Sequence, residues 1–83
     1  MLTRDKIFET LKDNLQLISE ETRGKEISED ASLSEYGTDS LELIEVASRT
    51  MKQLNVKVPR TEVSKIDSIG ELVTLFEKAA HKD

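Results

Sequence analysis

The sequence predicts an all-α fold: a four-helix bundle with a short third helix and a long loop between helices 1 and 2. Three observations carry this. Apolar residues recur at three- and four-residue spacing along Ile7–Ile18, Leu43–Leu54 and Ile69–Ala80, the period of a helix with one buried face. Helix-start chemistry stands at Thr3, at Asp39 with Glu42 three residues on, and at Ser68 with Glu71 three residues on. Gly24, Gly37 and Pro59 fall between the periodic stretches, where chain breakers belong.

The first helix opens after Thr3 as N-cap, with Asp5 complementing the positive end of its dipole. Ile7, Phe8, Leu11, Leu15 and Ile18 form its apolar stripe, and Leu17 lies off it. The period fades near Ser19. From there to Asp39 runs a connection longer than loops usually are, which points to function or to a structured loop. Ile27, Leu33 and Tyr36 are its expected anchors onto the core. Between Glu20 and Asp39 there are seven acids against Arg23 and Lys25, and this excess suits either a solvated loop or a docking surface.

The second helix is expected over Ser40–Leu54. Gly37 supplies backbone freedom for the turn before it. Asp39 caps the helix by accepting from the amide near Glu42, whose side chain reaches back. Ser40 is left in the first turn, at the positive end of the dipole, where an attached phosphate is favoured. Plotted at helical period, Leu43, Val46, Ala47, Thr50 and Leu54 make a core stripe. Leu41, Ile44, Ser48 and Met51 make a neighbouring stripe that is either a second buried side or an exposed strip for partners. Glu42, Glu45, Arg49 and Lys52 fill the remaining arc, with Glu45 and Arg49 at the spacing of a weak ion pair.

Pro59 biases Val58 away from helical angles and can start the next turn. Arg60–Ile66 reads as a short helix offering Val63 and Ile66 to the core. Asp67 or Ser68 caps the last helix, whose inward face is Ile69, Leu72, Val73, Phe76 and Ala80. His81 lies in a charged tail with no second His or Cys nearby, so no metal site is expected.

Composition narrows the function. Eighty-three residues suit one domain, 1–83, and bury only about 60–65% of the surface the unfolded chain exposes. With 36% apolar residues, two Phe, one Tyr and no Trp, the core is aliphatic and has little room to spare for a substrate cavity. The lack of Cys removes disulfides, thiolate catalysis and Cys-ligated zinc. No apolar run has signal-peptide or membrane-spanning length, so a cytoplasmic protein without a membrane partner is expected. A net charge of −5 argues against nucleic acid, where phosphate neutralisation supplies most of the affinity. No Ser-His-Asp set, metal cluster or phosphate-cradling glycine loop is present, so no enzyme is expected.

With these elements in place the chain resembles the acyl carrier proteins over essentially its whole length. The resemblance rests on the helix pattern, on the loop anchors Leu33, Tyr36 and Gly37, and on Asp39-Ser40-Leu41 with Glu45 five residues after the serine. It extends to the Val-x-Val-Pro step at Val56 to Pro59 and to Ile66 and Ser68 before the last helix. Asp-Ser-Leu alone is a common tripeptide; its place at a helix start in mid-chain makes it specific.

The resemblance implies that Ser40 receives 4′-phosphopantetheine from coenzyme A. A phosphopantetheinyl transferase using Mg²⁺ lets the hydroxyl attack the pyrophosphate, and Asp39 helps position that enzyme and its metal. The arm ends in a thiol that carries acyl groups as thioesters, so the reactive sulfur is imported. The protein itself catalyses nothing, and short cargo chains could fold between the second and third helices.

Carriers of bacterial fatty acid synthesis have paired acids about three turns after the serine and an acidic run after the proline. Here Met51-Lys52 and Arg60-Thr61-Glu62 stand instead, which weakens docking to partners that read acids. Ser40-Leu41-x-Leu43-x-Glu45-x-Ala47-x-Arg49 and Glu71-Leu72-Val73-x-Leu75 are similar to the stand-alone carriers of aromatic (type II) polyketide synthases. That similarity implies a malonyl transferase, a ketosynthase with its chain-length factor, and a ketoreductase or cyclase as partners. Leu41, Glu42, Ile44, Glu45, Ser48, Arg49, Met51 and Lys52 are the expected contacts. The Gly-Thr-Asp-Ser turn differs from the Gly-Gly-His/Asp-Ser turn of peptidyl carriers, which lowers that option. Met1 at the start of helix 1 and a short polar tail suit a discrete protein, monomeric when free. The rival from another class is a helical interaction domain with no cofactor, in which Ser40 is only a helix residue or a phosphorylation site.

Overall fold

The computed structural model describes residues 2–81; Met1 and the end of the polar tail lie outside the described residues. Among these the chain forms α1 (Arg4–Ile18), α2 (Ser40–Leu54), α3 (Arg60–Val63) and α4 (Ile69–Ala80), with 3₁₀ turns at Glu20–Thr22 and Leu33–Tyr36. The isolated bridge between Ser32 and Ser68 is the one β-type pairing among the described residues. The expected four-helix fold is therefore the observed one.

The core is where the three long helices meet. Ile7, Leu11 and Leu15 of α1 are wholly buried, as are Val46 and Ala47 of α2 and Ile69, Leu72, Val73 and Phe76 of α4. Each large side chain buried in this way contributes about 1.5–3 kcal/mol relative to exposure. Phe8 and Ile18 are half-buried against that cluster, and Leu17 is exposed, as the stripe predicts. Leu54 and Ala80 are only half-buried, because both sit at helix ends where the neighbouring helix no longer covers them. One polar contact is built into the α1–α2 seam. The buried Asn14 amide donates to Thr50 Oγ1 at 2.8 Å and Gln53 Oε1 at 2.7 Å.

The long connection is a structured loop. Ile27, Leu33 and Tyr36 are buried, as expected of its anchors, and Thr22 is buried with them. Tyr36 Oη accepts from the Ser28 amide at 3.0 Å, which ties the two halves of the loop together. A capping box, with Ser32 and Glu35 exchanging bonds, starts the second 3₁₀ turn. The loop is then fastened to the start of α4. The Leu33 amide donates to Asp67 O at 2.8 Å, and the Gly70 amide donates to Glu29 O at 3.0 Å. A Cβ on Gly70 would stand 2.9 Å from that carbonyl, so the close approach requires glycine.

Arg4 completes the fastening. Its guanidinium pairs with Glu29 at 2.6 Å and Glu77 at 3.1 Å and donates to Thr74 Oγ1 at 3.1 Å. The hydrogen bond to Glu29 is the main cause that raises the Arg4 pKa above the ordinary arginine value.

One element differs from expectation. The third helix ends at Val63 rather than Ile66. Ser64 Oγ donates to Thr61 O at 2.9 Å, and Ser64–Lys65 close as a turn. A serine offering this local bond competes with helix continuation. Ile66 is accordingly half-buried while Val63 is buried. At α4 the cap is Ser68, which accepts from the Glu71 amide at 3.2 Å, while Glu71 reaches back to the Asp67 amide at 3.1 Å.

Candidate functional site

The site begins at Gly37. It closes the second 3₁₀ turn in the left-handed region, at φ 72° and ψ 15°, where a side chain is disfavoured. A Cβ there would also collide with the Glu21 carboxylate. The turn delivers Asp39 as N-cap of α2, with its side chain accepting from the Glu42 amide at 2.8 Å. Glu42 Oε1 accepts from the Asp39 amide at 3.2 Å, so the predicted capping box is complete.

Ser40 is therefore the first helical residue. It is exposed, and among the described residues its hydroxyl makes no hydrogen bond. The amides of this first turn have no intrahelical acceptor, apart from the Glu42 amide that Asp39 takes. The helix N-terminus favours a negative group beside that hydroxyl. Asp39, also exposed, has a second carboxylate oxygen that makes no hydrogen bond among the described residues.

Along α2 the remaining expected contacts separate. Leu41 is 79% exposed and stands next to Ser40. Ile44, Ser48 and Met51 are half-buried, and Ile44 and Met51 pack against the core. The exposed strip is thus one open leucine and three shielded residues. The shielding is tertiary: Arg60 and Val63 of α3 face Ile44, Ser48 and Met51 across a cleft, and the Val58 amide lies 3.3 Å from Met51 Sδ. Glu42 is half-buried in its capping role, while Glu45, Arg49 and Lys52 are exposed. Glu45 and Arg49 form no ion pair, as none of the pairs among the described residues joins them. For two fully hydrated side chains the pair gains too little to hold them together.

The α2–α3 cleft encloses about 30 Å³, room for one water molecule. Ile44, Met51 and Val63 line it. Arg60, the base that follows the proline, lies on the cleft rim and faces the site, a position that depends on how α3 folds back.

The comparisons decide the family. The family model described as a phosphopantetheine attachment site matches residues 5–76. The polyketide biosynthesis acyl carrier protein AcpK of Bacillus subtilis is 32% identical over 78 residues, covering 93% of this chain and 95% of that protein. The chain belongs to the acyl carrier protein family. This carrier is also 32% identical over 81 residues to the acyl carrier protein of Thermotoga maritima, covering 94% of the chain and 96% of that protein. Among solved structures, the acetyl donor carrier in complex with the curacin pathway HMG synthase superposes with a TM-score of 0.79. It is 28% identical, with 95% of this carrier and 99% of that chain covered. The actinorhodin holo acyl carrier protein of Streptomyces coelicolor gives a TM-score of 0.72 at 29% identity, with 95% and 91% covered.

Acyl carrier proteins are non-catalytic, carry phosphopantetheine covalently and interact with synthase enzymes. The residues of this carrier fit such a group: a free hydroxyl, a helix start that welcomes phosphate, and an exposed leucine beside them. Among the described residues no helix is long and apolar enough to cross a membrane.

Proposed function

We propose that the chain, acting as one carrier domain over residues 1–83, receives 4′-phosphopantetheine on Ser40 and serves a type II polyketide synthase. The observation that carries the attachment site is the exposed, unpartnered Ser40 hydroxyl at a capped helix start. Its oxygen forms the phosphodiester as the pyrophosphate of coenzyme A breaks, and the adenosine 3′,5′-bisphosphate half departs. Asp39 orients the transferase and its metal. The attached arm supplies a thiol on which acyl groups ride as thioesters.

The polyketide assignment is supported by the similarity to AcpK and to the actinorhodin carriers and by Met51-Lys52 where a fatty acid carrier has acids. In this reading the carrier is a cytoplasmic monomer that takes malonyl units from a malonyl transferase. It passes them and the poly-β-keto chain to a ketosynthase with its chain-length factor, then to a ketoreductase or cyclase. Leu41, Glu42, Ile44, Glu45, Ser48, Arg49, Met51 and Lys52 form the contact face. Leu41 is the apolar anchor, and Ile44 and Met51 act through their exposed edges.

Intact mass after incubation with coenzyme A, Mg²⁺ and a broad-specificity transferase tests the attachment. One added phosphopantetheine on the wild type and none on Ser40→Ala is the expected result. No gain on the wild type refutes the carrier reading at this serine. Efficient elongation by a fatty acid ketosynthase, matching that with a type II polyketide ketosynthase, refutes the pathway.

A further inference from the structure

We infer that the surface from Arg49 through Lys52 and Lys57 to Arg60 docks onto a carboxylate-lined face of the ketosynthase, so that the contact face of the carrier changes sign along its length. This rests on the proposed function for its partner. Between Glu45 and Glu62 the chain holds four cations and no acid, within a protein of net charge −5. All four cations are exposed, and none joins an ion pair among the described residues.

The four cations form one surface. Arg49 and Lys52 line a common shallow depression. Lys52 and Lys57 rim an open groove of about 430 Å³ whose walls include Met51, Val56 and Val58. Arg60 closes the cleft that shares Met51 and Ser48 with that groove. The helix dipole accounts for Lys52 in the last turn of α2, but Lys57 and Arg60 lie beyond the helix and owe nothing to it.

On the same side of α2, Glu42 and Glu45 precede the cations at helical spacing. From Glu42 to Lys52 the charge therefore reverses over about 15 Å, at 1.5 Å per residue. A continuous polyanion, such as a nucleic acid or an anionic membrane, would bring its negative charge against Asp39, Glu42 and Glu45 as well. A folded protein can set cations opposite those acids, near the mouth of its active site, and acids opposite Arg49 to Arg60. Such a sign change fixes which way round the carrier lands, and like-charge contact penalises the reversed landing.

The test uses the Lys57→Glu/Arg60→Glu variant with the type II polyketide ketosynthase, on protein whose loading has been verified by intact mass. At low salt the variant is expected to lose about tenfold in kcat/KM, mostly through KM. The gap should close as salt rises from about 0.05 to about 0.5 M, since screening weakens wild-type docking. Reversing a docking-face carboxylate of the ketosynthase to lysine should restore the variant. Affinity of the unloaded chain for the same enzyme is measured alongside, so docking remains readable if loading fails. Failure of the wild type to load refutes the attachment reading, whereas a variant that binds and, once loaded, turns over like the wild type overturns the charge assignment alone. Wild-type binding to phosphatidylserine vesicles or to a duplex oligonucleotide that the double variant loses would also overturn it.

Discussion

Replacing Asp39 separates the two roles its position gives it. Asp39→Ala removes the bond from the Glu42 amide, at 2.8 Å, and frees Glu42 from its return bond, at 3.2 Å. Loss of an N-cap acceptor costs about 1 kcal/mol, and the solvent-exposed return bond adds little to it. For a domain of this size that is a fall of about 4–8 °C in melting temperature. Asp39→Asn keeps an acceptor and gives up only the charge beside the helix dipole, so its fall should be less than half as large. Loading should rank the variants differently. If the carboxylate positions the transferase and its metal, Asn and Ala both slow phosphopantetheine uptake, followed by intact mass over time. An Asn variant that loads at the wild-type rate while Ala is slow would reduce Asp39 to a cap. An Ala variant that melts with the wild type would refute the capping argument itself.

Leu43→Ala should lose about 2–5 kcal/mol in urea unfolding, because Leu43 is 6% exposed in the core. Leu41→Ala should stay within about 0.5 kcal/mol, since the side chain is 79% exposed, yet lower acyl transfer to the ketosynthase. Gly37→Ala should cost about 1 kcal/mol for the left-handed backbone, with Glu21 displaced, and chemical denaturation would read it. Arg4→Gln should cost about 1 kcal/mol at low salt, an effect that fades at high salt because Arg4, Glu29 and Glu77 are all partly exposed.

The second helix was legible to its ends because its signals are local: Gly37, the Asp39–Glu42 box and the core stripe all lie within one stretch of chain. The loop anchors Ile27, Leu33 and Tyr36 could be read as isolated apolar residues, but the two 3₁₀ turns could not, since three or four residues carry no period. A usable sign was present in Ser32 with Glu35 three residues on, the same box that marks α2. The cover over Ile44 and Met51 was hidden because it comes from α3 and Val58, whose packing no spacing within α2 encodes. The Arg4 clamp joins residues 25 and 73 positions apart, beyond any local pattern. At the candidate site Ser40, Asp39 and Leu41 stand open; Arg60 is legible in the sequence as a base after the proline, but its place on the α2–α3 cleft depends on the tertiary fold.

The amide of Asn14 has a further consequence for how the carrier is handled. It meets two acceptors on α2, Thr50 and Gln53, which stand three residues apart on one face of the helix. Sliding or rolling α2 against α1 would strand a buried amide, a cost of about 1–3 kcal/mol that apolar packing alone would not impose. The second helix is thereby indexed, like a rule pinned at its far end. Ser40 lies ten residues from Thr50, about 15 Å along the axis, so the proposed tether point and every charge between them keep fixed spacings. With the arm on Ser40 as proposed, each enzyme in turn would gauge where it begins by feeling the opposite end of the same helix.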